Sequence, residues 1–246
     1  MSETTHIGWT DASWNPWYGC TKISPGCKNC YMYREMLRYG RDPFTVQRSK
    51  TTFEEPLKWK ERRMVFTCSW SDFFIEEADP WRPEAWEIIR NTPHTYQIVT
   101  KRPELITERL PGDWGAGYKN VWLGTSCESP EYDHRIASLL DVPSSLYFVS
   151  LEPLLAPIDL NRKEFLIDKT RFRYTIGNYL DWVIVGGESG PADKRRECDP
   201  AWICNVVDQC RESRTPVFVK QDSGAKPGQQ GRIPNEYWIH EFPHVS

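Results

Sequence analysis

Three cysteines stand within eleven residues of one another, in a run from Trp14 to Tyr33 that reads WNPWYGCTKISPGCKNCYMY. Their spacing is C-x6-C-x2-C, at Cys20, Cys27 and Cys30. Cys27 and Cys30, three apart, can reach a common metal from a turn that enters a helix. Pro25 and Gly26 turn the intervening loop back, so Cys20 can approach the same point. A helix N-terminus favours thiolate over thiol, and ligation requires the thiolate. Without a metal, three thiolates in one short loop would repel one another. The other five cysteines, Cys68, Cys127, Cys198, Cys204 and Cys210, are scattered. Cys204 and Cys210 do not share a helical face at their spacing and read as buried apolar residues. The histidines form no ligand spacing.

Two metals fit the loop. Structural zinc takes four protein ligands. No fourth Cys or His lies near, since His6 is fourteen residues before Cys20 and the next cysteine is Cys68. A distant residue would have to complete a zinc site. A [4Fe–4S] cluster also commonly takes four thiolates. Three thiolates leave one iron open, and an open iron is what a catalytic cluster needs in order to bind a small molecule.

The elements that must carry this loop follow from a recurring pattern. Short apolar, β-branched or aromatic runs appear at Met64–Cys68, Thr95–Val99, Asn120–Gly124, Leu146–Val149, Trp182–Val185 and Pro216–Val219. They read as buried strands. Helices are expected at Cys30–Tyr39, Trp81–Arg90, Pro103–Leu110, Glu131–Leu140 and Pro200–Glu212. Pro103 and Pro200 fall at first-turn positions, and Gly40 falls at a C-terminal stop. Strand and helix in alternation predict an α/β fold with a parallel sheet. With an early strand near Ile7–Thr10, the expectation is a complete or partial (β/α) barrel of six or seven parallel strands. Each run ends in polar or charged residues, among them Asp72, Lys101, Glu152, Glu188, Lys220 and Asp222. Barrels take their catalytic groups from the C-terminal ends of many strands. Lys101, next to Arg102, could meet a carboxylate or phosphate. Glu152 lies between Leu151 and Pro153, a costly place for a charge without a partner. Lys101 and Glu152 are therefore the candidate catalytic residues.

The 246 residues suit a single domain over residues 1–246, with an irregular insertion around 155–179. A net charge of −3 gives no global field to hold nucleic acid. The stretch Arg48–Arg63 is locally basic but, as a mixed charge run, reads as a solvated face. No window approaches the ~18 apolar residues of a membrane span. The N-terminus has no apolar signal core, so a cytoplasmic protein with reduced cysteines and no membrane partner is expected. The aromatics Trp9, Trp14, Trp17, Tyr18, Tyr31 and Tyr33 could either pack around the loop or stack on nucleic acid bases.

The run NPWYGC…CKNCY resembles the cluster loop of radical S-adenosylmethionine enzymes, whose usual spacing is C-x3-C-x2-C after the first barrel strand. The wider chain is similar to a phage- and bacterium-associated family, domain of unknown function 5131, regarded as radical-SAM-like. The shared segments are TKISPGCKNCY, TKRPE (Thr100–Glu104), SLEPLL (Ser150–Leu155), VGGESGP (Val185–Pro191) and FVKQ (Phe218–Gln221). The resemblance implies that Cys20, Cys27 and Cys30 hold three irons of a [4Fe–4S] cluster, with S-adenosyl-L-methionine on the fourth. It implies one-electron cleavage to a 5′-deoxyadenosyl radical, and a flavodoxin- or ferredoxin-like electron donor. The substrate classes it leaves open include nucleic acid, a protein side chain and a small metabolite. The aromatic that usually precedes the third cysteine is Asn29 here, and Tyr31 follows instead. Gly186-Gly187-Glu188 looks like the glycine–glycine–glutamate motif of that superfamily, but on a late strand rather than the second. Glycines at a strand end still let a ligand approach the backbone. Ser126 and Glu128, ending a middle strand, are candidate ribose contacts by position only. The alternative is a zinc- or cluster-stabilised nucleic-acid-binding or adaptor protein without catalysis.

Overall fold

The computed structural model describes residues 5–160, 163–167, 170–174 and 179–244. Its main sheet has seven strands, and the fold is an α/β partial (β/α) barrel with all strands parallel. The strands are β1 (Ala12–Trp14), β4 (Met64–Thr67), β5 (Thr95–Thr100), β6 (Val121–Ser126), β7 (Tyr147–Leu151), β10 (Trp182–Gly186) and β11 (Val217–Gln221), hydrogen-bonded in that order. Two small antiparallel ladders accompany it. One joins β2 (Trp17–Tyr18) to β3 (Gln47–Arg48), and the other joins β8 (Lys163–Ile167) to β9 (Thr170–Tyr174). The second ladder falls in the stretch expected to be irregular. The remainder of that stretch, at 161–162, 168–169 and 175–178, lies outside the described residues. No helix among the described residues is long and apolar enough to cross a membrane.

The apolar runs become strands because sheets covered on both faces need continuous hydrophobic sequence rather than alternation. Every residue of β6 and of β10 is buried. The early strand begins later than expected. Residues Ile7–Thr10 form a turn, closed by the Thr10 N–H on the Ile7 carbonyl, and the Thr10 hydroxyl donates to Met64 O. The helices are α1 (Tyr31–Arg38), α2 (Arg82–Arg90), α3 (His134–Leu140) and α4 (Pro200–Ser213). Pro200 opens α4 as its first residue, and the Asp199 carboxylate caps it by accepting from the Ala201 N–H at 2.9 Å. The helix expected at Pro103–Leu110 is instead two single 3-10 turns, Pro103–Leu105 and Thr107–Arg109. Leu110 precedes Pro111 and is held extended, which ends the segment there.

The chain divides into two compact units: Met1–Gly124 with Val142–Ser145, and Thr125–Asp141 with Leu146–Ser246. The first has an aromatic core. Trp17 packs on Phe73 at 5.1 Å between ring centroids, Phe73 on Trp86 at 4.9 Å, and Trp86 on Trp114 at 5.4 Å. Buried indoles need hydrogen-bond partners. Trp14, Trp17, Trp86 and Trp114 each donate to a backbone carbonyl at 2.8–3.0 Å. Trp9, Trp14 and Trp17 are therefore packing residues, as is most of Tyr33. The second unit has an aliphatic core from β7, β10, β11 and α4, including Val149, Val183, Val185, Val207 and Val219. Cys210 is buried there, whereas Cys204 is half-exposed on the same helix.

Trp17 is fully buried and its indole N–H holds the Asp72 carbonyl at 3.0 Å. Trp17→Ala is expected to destabilise the fold by ~3–5 kcal/mol. Denaturant unfolding checks this; a loss below ~1 kcal/mol would mean that the ring is not part of the core.

Candidate metal centre

The cysteine loop is fastened at both ends by backbone geometry. Gly19 sits at φ +94°, and a Cβ there would lie 2.3 Å from the Thr45 carbonyl oxygen, so only glycine fits. The Gly19 N–H donates to Trp70 O at 3.0 Å, and its carbonyl accepts from Ser71 Oγ at 2.6 Å. The Cys20 N–H donates to Pro43 O at 2.9 Å. The loop then runs through a 3-10 turn, Pro25–Cys27, and reaches Cys30 at the N-cap of α1. Helix α1 buries Met32, Tyr33 and Met36, with Cys20, Cys30 and Trp70 packed against them. The Tyr33 hydroxyl donates to the Cys20 carbonyl at 2.6 Å. Tyr31, half-exposed, donates its hydroxyl to Ser69 O at 2.7 Å.

An ion pair between the ends of β4 and β5 holds this loop from below. Arg102 Nη1 meets Asp72 Oδ2 at 3.1 Å, with both side chains under a tenth exposed. Asp72 also accepts from Thr100 Oγ1 at 2.7 Å and from the Phe74 and Lys101 N–H groups at 3.0 Å. The other half of the guanidinium reaches the cysteine loop. Arg102 Nη2 donates to the Thr21 carbonyl at 3.0 Å and to its hydroxyl at 2.8 Å, and Nη1 lies 3.9 Å from Cys20 Sγ. Arg102 is a positioning residue that the sequence reading placed only as a neighbour of Lys101. Lys101 itself follows β5, and its ammonium acts electrostatically on Cys30.

All three thiols are half-buried and free. Burial, and then the Asp72 carboxylate, push the Cys20 thiol up from 9.0 to about 12, although Arg102 pulls the other way. Burial also raises Cys30, opposed by the Met32 N–H and by Lys101. The charge of Cys27 would raise both. Cys20 and Cys30 are thus protonated at neutral pH, and a metal must displace those protons to bind. Among the described residues, no three His, Cys, Asp or Glu side chains gather closely enough to hold a single metal ion. A tetrahedral zinc with bonds of ~2.3 Å needs its sulfurs ~3.8 Å apart. A four-iron cluster gives each thiolate its own iron and takes a wider set. Cys27 acts electrostatically on both Cys20 and Cys30, and Arg102 and Lys101 supply two cations at the adjoining strand end.

The second unit carries the remaining candidates on its own strand ends. Glu152, after β7, pairs with Lys220 of β11 at 2.9 Å, near Gly186 of β10. A Cβ on Gly186 would lie 3.1 Å from Glu152 Oε1, so the glycine leaves room for that carboxylate. Gly187 is tighter, with a Cβ position 2.5 Å from the Ser223 nitrogen. Glu188 is buried and held by Arg196 through its N–H at 2.7 Å and its guanidinium at 2.5 Å. Glu128 is fully buried against Arg135 at 3.0 Å, and the same guanidinium donates to Ser126 O at 3.2 Å. Both carboxylates thus have arginine partners. The sequence reading gave Glu128 and Glu188 no partner, because Arg135 and Arg196 show no distinguishing local pattern. The basic stretch Arg48–Arg63 is a mixed face, with Arg48 paired to Glu84, Lys58 to Glu55 and Arg63 to Glu61. An open hollow of about 600 Å³ on the first unit is lined by Arg82, Trp86, Arg90 and Arg109. Its arginines are engaged with Asp79, Glu87 and Asp113.

A family model described as "Protein of unknown function (DUF5131)" matches residues 4–237. The chain belongs to this family, and its partial parallel (β/α) barrel carries the cysteine loop just after β1 and β2. No curated protein and no solved structure matches the chain.

Two predictions follow from these charges. Arg102→Met leaves the Asp72 carboxylate buried without its cation and is expected to cost ~3–5 kcal/mol. Adding Asp72→Asn should recover part of that loss, and a strictly additive double variant would show that the pair is not coupled. The second concerns Asp222. Burial works against its charge, but hydrogen bonds from the Arg232 side chain and N–H outweigh it and hold the carboxyl below 3.8. The unfolded state therefore binds more protons as pH falls through 3.8, and this contribution to stability is lost below the folded value. The stability gap between wild type and Asp222→Asn should be full at neutral pH and narrow in acid. A gap that widens in acid would contradict the assignment.

Proposed function

We propose that this chain is an iron–sulfur enzyme of the radical S-adenosylmethionine type, with Cys20, Cys27 and Cys30 as the cluster ligands. What supports the reading is one observation: three half-buried thiols on one short loop, with Cys27 acting electrostatically on both Cys20 and Cys30. When bound, a [4Fe–4S] cluster with S-adenosylmethionine at its open iron supplies one-electron chemistry, yielding a 5′-deoxyadenosyl radical for hydrogen abstraction with the electron coming from a flavodoxin- or ferredoxin-like donor.

The chain's own part is positioning and charge. Cys20 and Cys30 give up protons that their surroundings hold firmly in the metal-free protein. Arg102 fixes Thr21 and stands beside Cys20, so the first ligand is oriented before any metal arrives. Lys101 places a second cation near Cys30. These two charges offset the thiolates, which would otherwise repel one another. Tyr31 offers a half-exposed ring next to the third ligand, braced through Ser69.

Anaerobic reconstitution tests the reading. Wild-type protein is expected to be brown and to contain about four irons, as three thiolates on a cubane imply. Cys27→Ala should lose most of that iron while keeping the thermal transition of the metal-free protein. With dithionite and S-adenosylmethionine, the loaded protein should release 5′-deoxyadenosine. A colourless protein carrying about one zinc, or a loaded one that yields no 5′-deoxyadenosine, overturns the proposal.

A further inference from the structure

The segment around the cysteine loop is locally basic in a chain that is acidic as a whole. Residues 21–45 carry five cations, Lys22, Lys28, Arg34, Arg38 and Arg41, against Glu35 and Asp42, while the whole chain has a net charge of −3. Glu35 is shared by Arg34 and Arg38. Asp42 is occupied by the Phe44 N–H and the Thr45 hydroxyl. Lys22, Lys28 and Arg41 have no carboxylate partner among the described residues. An unneutralised cluster of this kind attracts polyanions despite the net charge.

The same segment is also where large apolar side chains reach solvent. Of the eight exposed large hydrophobic residues among those described, five lie between Ile23 and Phe44. Tyr39 is 63 % exposed, Leu37 63 % and Phe44 58 %. The two rings are braced from behind rather than loose. Tyr39 stacks on Trp70 with an interplanar angle of 28°, and Phe44 packs on Tyr33 at 5.1 Å. Arg38, 75 % exposed, lies next to Tyr39 in the chain, and Arg41 stands over the Tyr18 ring at 4.9 Å. Braced rings beside exposed cations are what a single-stranded nucleic acid requires, since each nucleotide offers one phosphate and one base face. A duplex hides its base faces, and an acidic protein surface has no use for exposed rings.

We infer that the face formed by α1 and the segment flanking it, centred on Arg38, Tyr39, Arg41 and Phe44, binds single-stranded nucleic acid. The inference does not rest on the cluster. The face is made by side chains outside the three ligands, so metal-free protein carries it.

Fluorescence anisotropy with a labelled oligothymidylate of ~12 nucleotides tests it, a length within the usual footprint of such sites. Metal-free wild type should bind, with log K falling as log salt rises. Tyr39→Ala should weaken binding ~5–100-fold, the range of one lost stacking contact. Arg38→Gln and Arg41→Gln should each lower the salt slope by ~0.7, the value for one phosphate contact on a single strand. These residues are exposed, so the variants should keep the wild-type thermal transition. The inference is overturned by any of four results: no binding to metal-free protein, unchanged affinity and slope in the variants, equal binding of a blunt duplex, or displacement of the oligonucleotide by poly-glutamate at equal charge. Binding with no iron uptake would support this inference while removing the enzyme reading. Iron uptake with no binding would do the reverse.

Discussion

The Asp72–Arg102 ion pair is the interaction on which the cysteine loop depends. It is nearly dry, yet it is not an isolated pair of charges. Asp72 has four donors and Arg102 has acceptors on two separate segments. Breaking such a pair is costly because the surviving charge stays buried. The pair also joins three pieces of chain distant in sequence: the end of β4, the end of β5, and Thr21 inside the loop. A loop of this length would sample many conformations if left to itself. Here its beginning is fixed by Gly19 and Cys20 on backbone carbonyls and by Arg102 on Thr21, and its end by the entry into α1. The loop is therefore ordered by the scaffold and not only by a metal.

That ordering sets a tension in the charges. The environment that buries Cys20 raises its thiol, and Asp72, needed to hold Arg102, raises it further. The cations that stand near the thiols do not reverse this in the metal-free protein. A neutral thiol is a poor ligand, so a metal that binds Cys20 or Cys30 must displace its proton. The price in affinity is offset by Arg102 and Lys101, which favour the thiolates once they form. The same two residues close the strand that the sequence marked as TKRPE.

Much of this was legible in the sequence, and the limits are physical. The strands at Met64, Thr95, Trp182 and Val217 are continuous apolar runs, and buried parallel strands leave that signature. The short edge strand β1 was placed too early, because three residues give no period to read and Thr10 turns the chain locally. The Pro103 segment carried a helix-start signal, but Pro111 cut it short. The three cysteines were evident from spacing alone. Arg102 was seen as a charge and not as a bracket, since its partners lie 30 and 81 residues away in the chain. Likewise, Glu152 was known to need a partner, but that it would be Lys220 follows only from the sheet order that sets β7, β10 and β11 side by side.

The basic face shows why the kind of exposure matters more than the charge count. The sequence singled out Arg48–Arg63 as locally basic and read it as a solvated mixed face; there Arg48, Lys58 and Arg63 are paired with glutamates. In the segment from Lys22 to Arg41 the density is lower, but three cations stay without carboxylates and the aromatic residues between them face outward. The buried face of α1 explains the difference. Met32, Tyr33 and Met36 turn inward to pack under the cysteines. With that side committed, Arg34, Leu37 and Arg38 are left on the solvent side by helical geometry. The packing that seats Cys30 thus also decides which side chains reach water, and one short helix both supports the candidate metal loop and presents the surface around it.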